Sequence, residues 1–305
     1  MEPSKKDFLR IDDFGLDELR HILALAREQK PLARRHELPH SHPNRQLACV
    51  FAKPSLRTRV SFEIAMRQLG GGSLFITDKE IGMGTRESVK DVARVLSRFV
   101  DAIMIRWFDQ GEVDELAEHA TVPVINGLTD LLHPCQVMAD IMTVEEHLGS
   151  IDGKNVVMVG DGNNLANSWL NAASVFPFDF TLACPEGYEP DESILQAADR
   201  AGASFQILND PLAAVEGAHV IYSDAFYSMG QEEEAKQRRA DFAPFRLTTE
   251  LLAVADDRHI VLHCLPAHRG EEITDEVIDG PHSVVYDEAE NRMHAQRAII
   301  AHFMK

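Results

Sequence analysis

The feature that most constrains this chain is an alternation. Short β-branched apolar runs are separated repeatedly by stretches whose apolar residues recur at helical spacing. That pattern specifies α/β layers with parallel sheets, because a strand followed by a crossover helix returns in the same direction. In the first half the predicted strands are Leu47 to Phe51, Ala102 to Arg106 and Val122 to Asn126. A helix carrying Val92, Val95, Leu96 and Phe99 lies between the first two. A second helix, Pro134 to Leu148, leads into "GSIDGKN", a turn-rich patch that reads as a domain boundary. The pattern then restarts with five predicted strands: Val156 to Gly160, Phe180 to Cys184, Ser204 to Leu208, His219 to Asp224 and Ile260 to Cys264. A helix from about Glu288 to Met304 closes the chain. The expected fold is therefore two doubly wound α/β domains, residues 1–149 and 150–287, each a central parallel sheet flanked by helices. A chain of 305 residues is long enough for two such cores.

One regularity directs attention to function. Ser55, Arg106, His133, Asn164, Asp224 and Cys264 all fall at or just beyond the C-terminal ends of predicted strands. Open parallel sheets bind ligands at that edge, so polar residues collected there from both halves point to an interdomain cleft.

The stretch "SLRTR" (Ser55 to Arg59) opens a helix whose apolar stripe is Phe62, Ala65, Met66 and Leu69. Cations in a first turn oppose the helix dipole unless a stronger anion comes to sit there. Ser55 as N-cap, the backbone N–H groups around Leu56 to Thr58, the Arg57 fork and the Thr58 hydroxyl together suit a phosphate. The alternative is a capped helix whose Arg57 and Arg59 are solvated charges. Arg106 ends an apolar strand, where a buried cation needs a partner. In "LLHPCQ", Pro134 fits the first helical position, with His133 before it and Gln136 one turn along. His133 is either a packed cap or, with Gln136 and Arg106, part of a site that polarises a carbonyl oxygen. "VVMVGDGNNLANSWL" has two glycines of a dinucleotide fingerprint, Gly160 and Gly162, but Leu165 stands where the third is required, which disfavours a nicotinamide cofactor. "SDAFYSMGQEE" presents Asp224, Ser228 and Met229, a set suited to an ammonium and the polar end of an amino acid. "HCLPAHRGEEIT" presents Cys264 and the Leu265 carbonyl.

Composition removes other classes. A formal charge of −19 argues against nucleic acid or an anionic membrane as partner. The first residues carry no apolar signal region, no apolar run approaches a membrane span, and four scattered cysteines form no C-x-x-C pair. A reducing cytoplasm is the expected location, without zinc or disulfides.

Taken together, "SLRTR", "HPCQ", "DGNN", "DAFYSMG", "HCLPAHRGEE" and "AENRMHAQRA" occur in an order and spacing that resembles the ornithine carbamoyltransferases, across nearly the whole chain. The resemblance implies a carbamoyl-phosphate domain first and an ornithine domain second, with the last helix (288–305) packing back on the first. It implies transfer of a carbamoyl group to the δ-amine of L-ornithine, no metal or organic cofactor, and a homotrimer or multiple of trimers. Carried over by motif, Ser55, Leu56, Arg57, Thr58, Arg106, His133, Gln136, Cys264, Leu265 and Arg292 would bind carbamoyl phosphate. Asn164, Asp224, Ser228 and Met229 would bind ornithine, and Arg106, His133, Asp224 and Cys264 would be catalytic. Two departures stand out. Leu56 replaces the family's usual threonine, and Gly82 stands where a glutamine usually reaches a neighbour's active site.

Overall fold

Four strands make the first sheet: β1 (Gln46–Phe51), β2 (Gly72–Thr77), β3 (Ala102–Arg106) and β4 (Val124–Leu128), all parallel, in the order β2-β1-β3-β4. The computed structural model describes residues 7–227 and 235–304. Contacts divide the chain into two units, one ending at Met142 and resuming at Asn291, the other Thr143–Glu290. The divisions fall inside the helices Pro134–Leu148 and Val285–Phe303.

In the first unit, β3 and β4 are buried along their whole length, as is β1 beyond Gln46, which is why they read as near-continuous apolar runs. Sequence periodicity misses β2. It is an edge strand opening on Gly72, and none of its residues is fully buried, so no two-residue alternation shows. β4 begins two residues later than expected, where Phe8 bridges it through Phe8 N–H to Val124 O (2.8 Å) and Asn126 N–H to Phe8 O (2.8 Å). The helix Val89–Leu96 also corrects the sequence reading. Its core stripe is Val89, Val92 and Ala93, with Leu96 packed against the same cluster. Val95 faces away at 45% exposure, and Phe99 lies beyond the helix at 72%.

Residues 291–304 are woven into this unit. Lys30 Nζ donates to Asn291 Oδ1 (2.8 Å), and Arg297 bridges Gln29 and Gln68 at 3.0 and 2.6 Å. The Phe303 ring packs on those of Phe8 and Phe14. The helix starts at Val285, three residues ahead of the expected Glu288.

The second unit holds β5 (Asn155–Val159), β6 (Asp179–Ala183), β7 (Phe205–Leu208), β8 (Val220–Ser223) and β9 (Ile260–His263), parallel in the order β7-β6-β5-β8-β9. Its core sets Trp169 edge-on to Phe178 and Tyr222 and parallel to Phe180. Leu165, in the third-glycine position, is buried, so the helix after β5 packs through a side chain rather than by close backbone approach. Gly162 is different. A Cβ there would stand 2.3 Å from the Glu189 carbonyl carbon, and its N–H donates to Tyr188 O at 2.8 Å. Among the described residues no helix is long and apolar enough to cross a membrane.

In each sheet, strand order reverses direction once, between β1 and β3 and between β5 and β8. Crossover helices there leave the sheet on opposite faces, which opens a crevice at the carboxyl ends of those strands.

Candidate active site

At the first crevice, β1 and β3 end level, Phe51 pairing with Arg106. The chain leaving β1 turns at Pro54 into the helix Leu56–Gln68, which Ser55 caps from an extended conformation (φ −158°, ψ 113°). Ser55 Oγ accepts the Thr58 N–H at 3.3 Å and donates to Thr58 Oγ1 at 3.1 Å. Thr58 Oγ1 also accepts from Arg292 Nη2 at 2.9 Å, and both residues are buried. One backbone N–H of the expected cradle is therefore already engaged by the cap. No acidic residue occupies the helix's first turn, so its positive end is uncompensated from within. Arg57 is half-buried in that turn. Arg59, by contrast, is structural: it pairs with Glu63 at 3.0 Å and lies 4.0 Å over the Phe75 ring. Leu56, which replaces the usual threonine, is 74% exposed and caps nothing.

Arg106, at the tip of β3, and His133, ahead of the helix Pro134–Leu148, are both buried. Burial holds the His133 imidazole well below its ordinary range, and the positive charges of Arg292 and Arg106 push it further the same way. His133 is thus neutral at pH 7, a hydrogen-bonding group rather than a cation. Gln136 is fully buried, its Nε2 fixed by Asp140 Oδ1 at 2.7 Å. Cys135 points elsewhere, its thiol donating to Asn126 O at 3.3 Å, and burial pushes it up to about 12. No Cys135–His133 nucleophilic pair exists.

At the second crevice, Asn163 caps the helix Asn164–Ala173, its Oδ1 accepting from Leu165 N–H (2.9 Å) and Ala166 N–H (3.3 Å). Asn164 is the first residue of that helix and half-buried. Asp224 follows β8 directly. Its Oδ1 accepts from the Ala225 N–H (2.8 Å) and the Cys264 thiol (3.0 Å), and its Oδ2 from Asn163 Nδ2 (2.9 Å). Cys264 follows β9 and is the one cysteine of four that is partly exposed. Leu265 takes a left-handed backbone (φ 56°) and a cis peptide to Pro266. Its N–H donates to His263 Nδ1 at 2.9 Å, and His263 Nε2 faces Glu272 Oε1 at 3.2 Å. Asp224, His263 and Cys264 bring potential metal-ligand atoms within 4.8 Å of one another, but both ring nitrogens of His263 are already engaged. Ser228 and Met229 lie outside the described residues.

Several supporting residues carry no sequence signal of their own. Arg238 ties the two loops of the second crevice together, pairing with Asp161 at 2.6 Å and donating to Phe226 O at 2.9 Å. Lys53 pairs with Asp130 and lies over the Phe108 ring, joining the segment before "SLRTR" to the one before His133. Gly82 ends the helix Asp78–Ile81 in a left-handed conformation, and Arg86 folds back to donate to the carbonyls of Glu80 and Ile81. A Cβ at Gly82 would meet Arg86 Cβ at 2.8 Å, so this loop closes on itself and presents no side chain there.

Residues 6–146 match the carbamoyl-P binding domain, and residues 152–303 the Asp/Orn binding domain, of aspartate/ornithine carbamoyltransferase. The chain belongs to the aspartate/ornithine carbamoyltransferase family. Within that family it is similar to proteins named ornithine carbamoyltransferase. One from Syntrophotalea carbinolica is 51% identical over 300 residues, covering 98% of this chain and 99% of that one. The solved ornithine carbamoyltransferase of Pyrococcus furiosus superposes with a TM-score of 0.93 at 49% identity, covering 97% of this chain and 96% of that one. A solved N-acetyl-L-ornithine transcarbamylase is more distant, with 32% identity and a TM-score of 0.86 over 98% of this chain and all of that one.

Proposed function

We propose that the chain transfers the carbamoyl group of carbamoyl phosphate to the δ-amine of L-ornithine, releasing L-citrulline and phosphate. The observation that carries this is the cluster at the end of β1 and β3. There, Arg106, Arg292 and a neutral His133 meet the hydroxyl of Thr58 at an uncompensated helix N-terminus, in the unit that matches a carbamoyl-P binding domain. Ser55, the Leu56 backbone, Arg57 and Arg106 hold the phosphate, and Thr58, His133 and Gln136 address the carbamoyl oxygen. An amine with a reference pKa of ~10.4 must lose its proton before it attacks. Asp224 receives and orients that amine, with Cys264 beside it, while Asn164, Ser228 and Met229 hold the amino-acid end. Cys264, the Leu265 carbonyl and Arg292 complete the donor site. The new C–N bond forms as charge builds on the carbamoyl oxygen, stabilised by Arg106, Thr58 and the His133 N–H. The C–O bond to phosphate then breaks, the attacking nitrogen's extra proton passes to the leaving phosphate, and the cradle holds the departing anion. No step requires a metal or organic cofactor.

A homotrimer, or a multiple of trimers, in the cytoplasm accompanies this reading. Leu56, Val60, Leu74 and Phe99 are exposed apolar residues of the first unit that contact between subunits would cover. The rival acceptor is N-acylated ornithine. Phosphate release from carbamoyl phosphate with ornithine, acetylornithine, putrescine and aspartate, each checked for its own carbamoylated product, tests the proposal, with ornithine expected to be fastest. Faster carbamoylation of acetylornithine would overturn it.

A further inference from the structure

Asn163 lies one residue ahead of the position that motif resemblance places in the ornithine site, and its amide serves two masters. Oδ1 accepts two N–H groups of the following helix, at 2.9 and 3.3 Å. Because those partners are donors, the amide's orientation is fixed, and it is the NH2 that faces Asp224 Oδ2 at 2.9 Å. The other oxygen of Asp224 is held by the Ala225 N–H and the Cys264 thiol. The carboxylate is thus gripped on both oxygens and its plane is set. Asn163 supplies the grip on Oδ2 from across the switch point, since it follows β5 whereas Asp224 follows β8.

We infer that Asn163 is a positioning residue for the acceptor amine: it locks the Asp224 carboxylate in the orientation that receives the amine. The inference rests on the proposed role of Asp224. Its side chain makes the helix cap and the carboxylate clamp with different atoms, so substitution separates the two. Asn163→Asp keeps an acceptor for the helix N–H groups, and aspartate caps as well as asparagine. It replaces the N–H donor with a second carboxylate about 3 Å from the first, and two such groups cannot both ionise comfortably. The other charges at this corner are already committed. Asp161 is paired with Arg238, His263 is bonded to Glu272, and Cys264 donates to Asp224 itself.

The expected result for Asn163→Asp is a near-normal melting temperature and unchanged affinity for carbamoyl phosphate, with kcat/KM for ornithine reduced about ten- to a hundredfold, the range for a lost hydrogen bond to a charged group. The pH profile should change as well. Wild-type rate rises with pH as the amine deprotonates. The variant's rise should move to higher pH, because the added negative charge beside the amine favours its protonated form. Asn163→Ser, which keeps a cap but cannot reach Asp224, carries the same test should the aspartate variant fail to fold. It should raise KM for ornithine without moving the profile. Alkylation of Cys264 by iodoacetamide reads the clamp without any substrate, since the other three cysteines are buried. It should slow in Asn163→Asp, where added negative charge disfavours the thiolate. Wild-type kcat/KM and a wild-type profile in both variants would overturn the inference. So would a loss confined to melting temperature, which would make Asn163 a helix cap alone. A wild-type protein that does not carbamoylate ornithine, but whose Cys264 alkylation slows in Asn163→Asp, would defeat the proposed function and leave the clamp standing.

Discussion

The Arg292 guanidinium donates to the Thr58 hydroxyl at 2.9 Å, a contact between residues 234 positions apart, and both side chains are buried. Arg292 also faces His133, whose imidazole pKa is lowered first by burial and then by the charges of Arg292 and Arg106, so one side chain touches both a hydroxyl and an imidazole of the site. Replacing Arg292 by lysine keeps the charge and discards the planar fork. Carbamoyl-phosphate affinity is expected to fall at least about tenfold, roughly 1.4 kcal/mol. Calorimetric titration of the variant decides it, and an unchanged affinity would remove Arg292 from the donor site.

His133 gives a stability signature with a definite sign. Its folded imidazole resists the proton that the unfolded chain accepts below about pH 6.5. Where the unfolded state binds more protons, stability rises with pH, so the folded state weakens as pH falls below that value. The loss levels off only well below it, where the folded imidazole itself is protonated. His259, lowered mainly by burial, adds to the same slope. In His133→Gln the acid slope should shrink by up to about 1.4 kcal/mol per pH unit. Melting curves from pH 7.5 to 5 that are parallel for both proteins would contradict this.

Gly162→Ala tests close approach rather than chemistry. The new Cβ would meet backbone atoms of Glu189 and Pro190 at 2.3 and 2.4 Å, so main chain must move. A loss of about 1–3 kcal/mol is expected, the range for overpacking. Because Asn163 is the next residue, KM for ornithine should rise with it. Denaturant unfolding with a midpoint equal to wild type would show that the loop yields freely.

Cys264→Ser should lower turnover more than stability, because the thiol is partly exposed and its contact is the Asp224 carboxylate. Serine can still donate, but it is smaller and less polarisable. Kinetics and melting measured on one preparation separate the possibilities. A clear fall in melting temperature with near-normal turnover would make Cys264 a packing residue.

Most of the strands legible in the sequence are buried on both faces, because burial forces continuous apolar runs such as Ala102–Arg106 and Ile260–His263; the half-exposed edge strand Phe205–Leu208 was legible as well. Edge strand β2 was not legible, since its apolar run is only Leu74 to Ile76 and half-exposed residues after a glycine show no alternation. Helical spacing also misassigned Val95 and Phe99, where apolar residues face outward. At the candidate site, the residues assigned to ligands were visible as motifs because several polar types cluster at strand ends. Their supports were not. Arg238, Glu272 and Asp140 act through partners far away in sequence or along a helix, and nothing local in their neighbourhoods distinguishes them from surface charges.

That residues 291–304 belong to the first unit has a consequence for how the molecule is made. Synthesis proceeds from the N-terminus, and N-terminal domains commonly fold first. Here the order is inverted. The continuous stretch Thr143–Glu290 is made before Asn291, Arg292, Arg297 and Phe303, the residues that the first unit needs to be complete. A chain that stops early would carry "SLRTR" and His133 yet lack the arginine that joins them. A molecule stopped before Arg292 would therefore lack the guanidinium that holds the Thr58 hydroxyl.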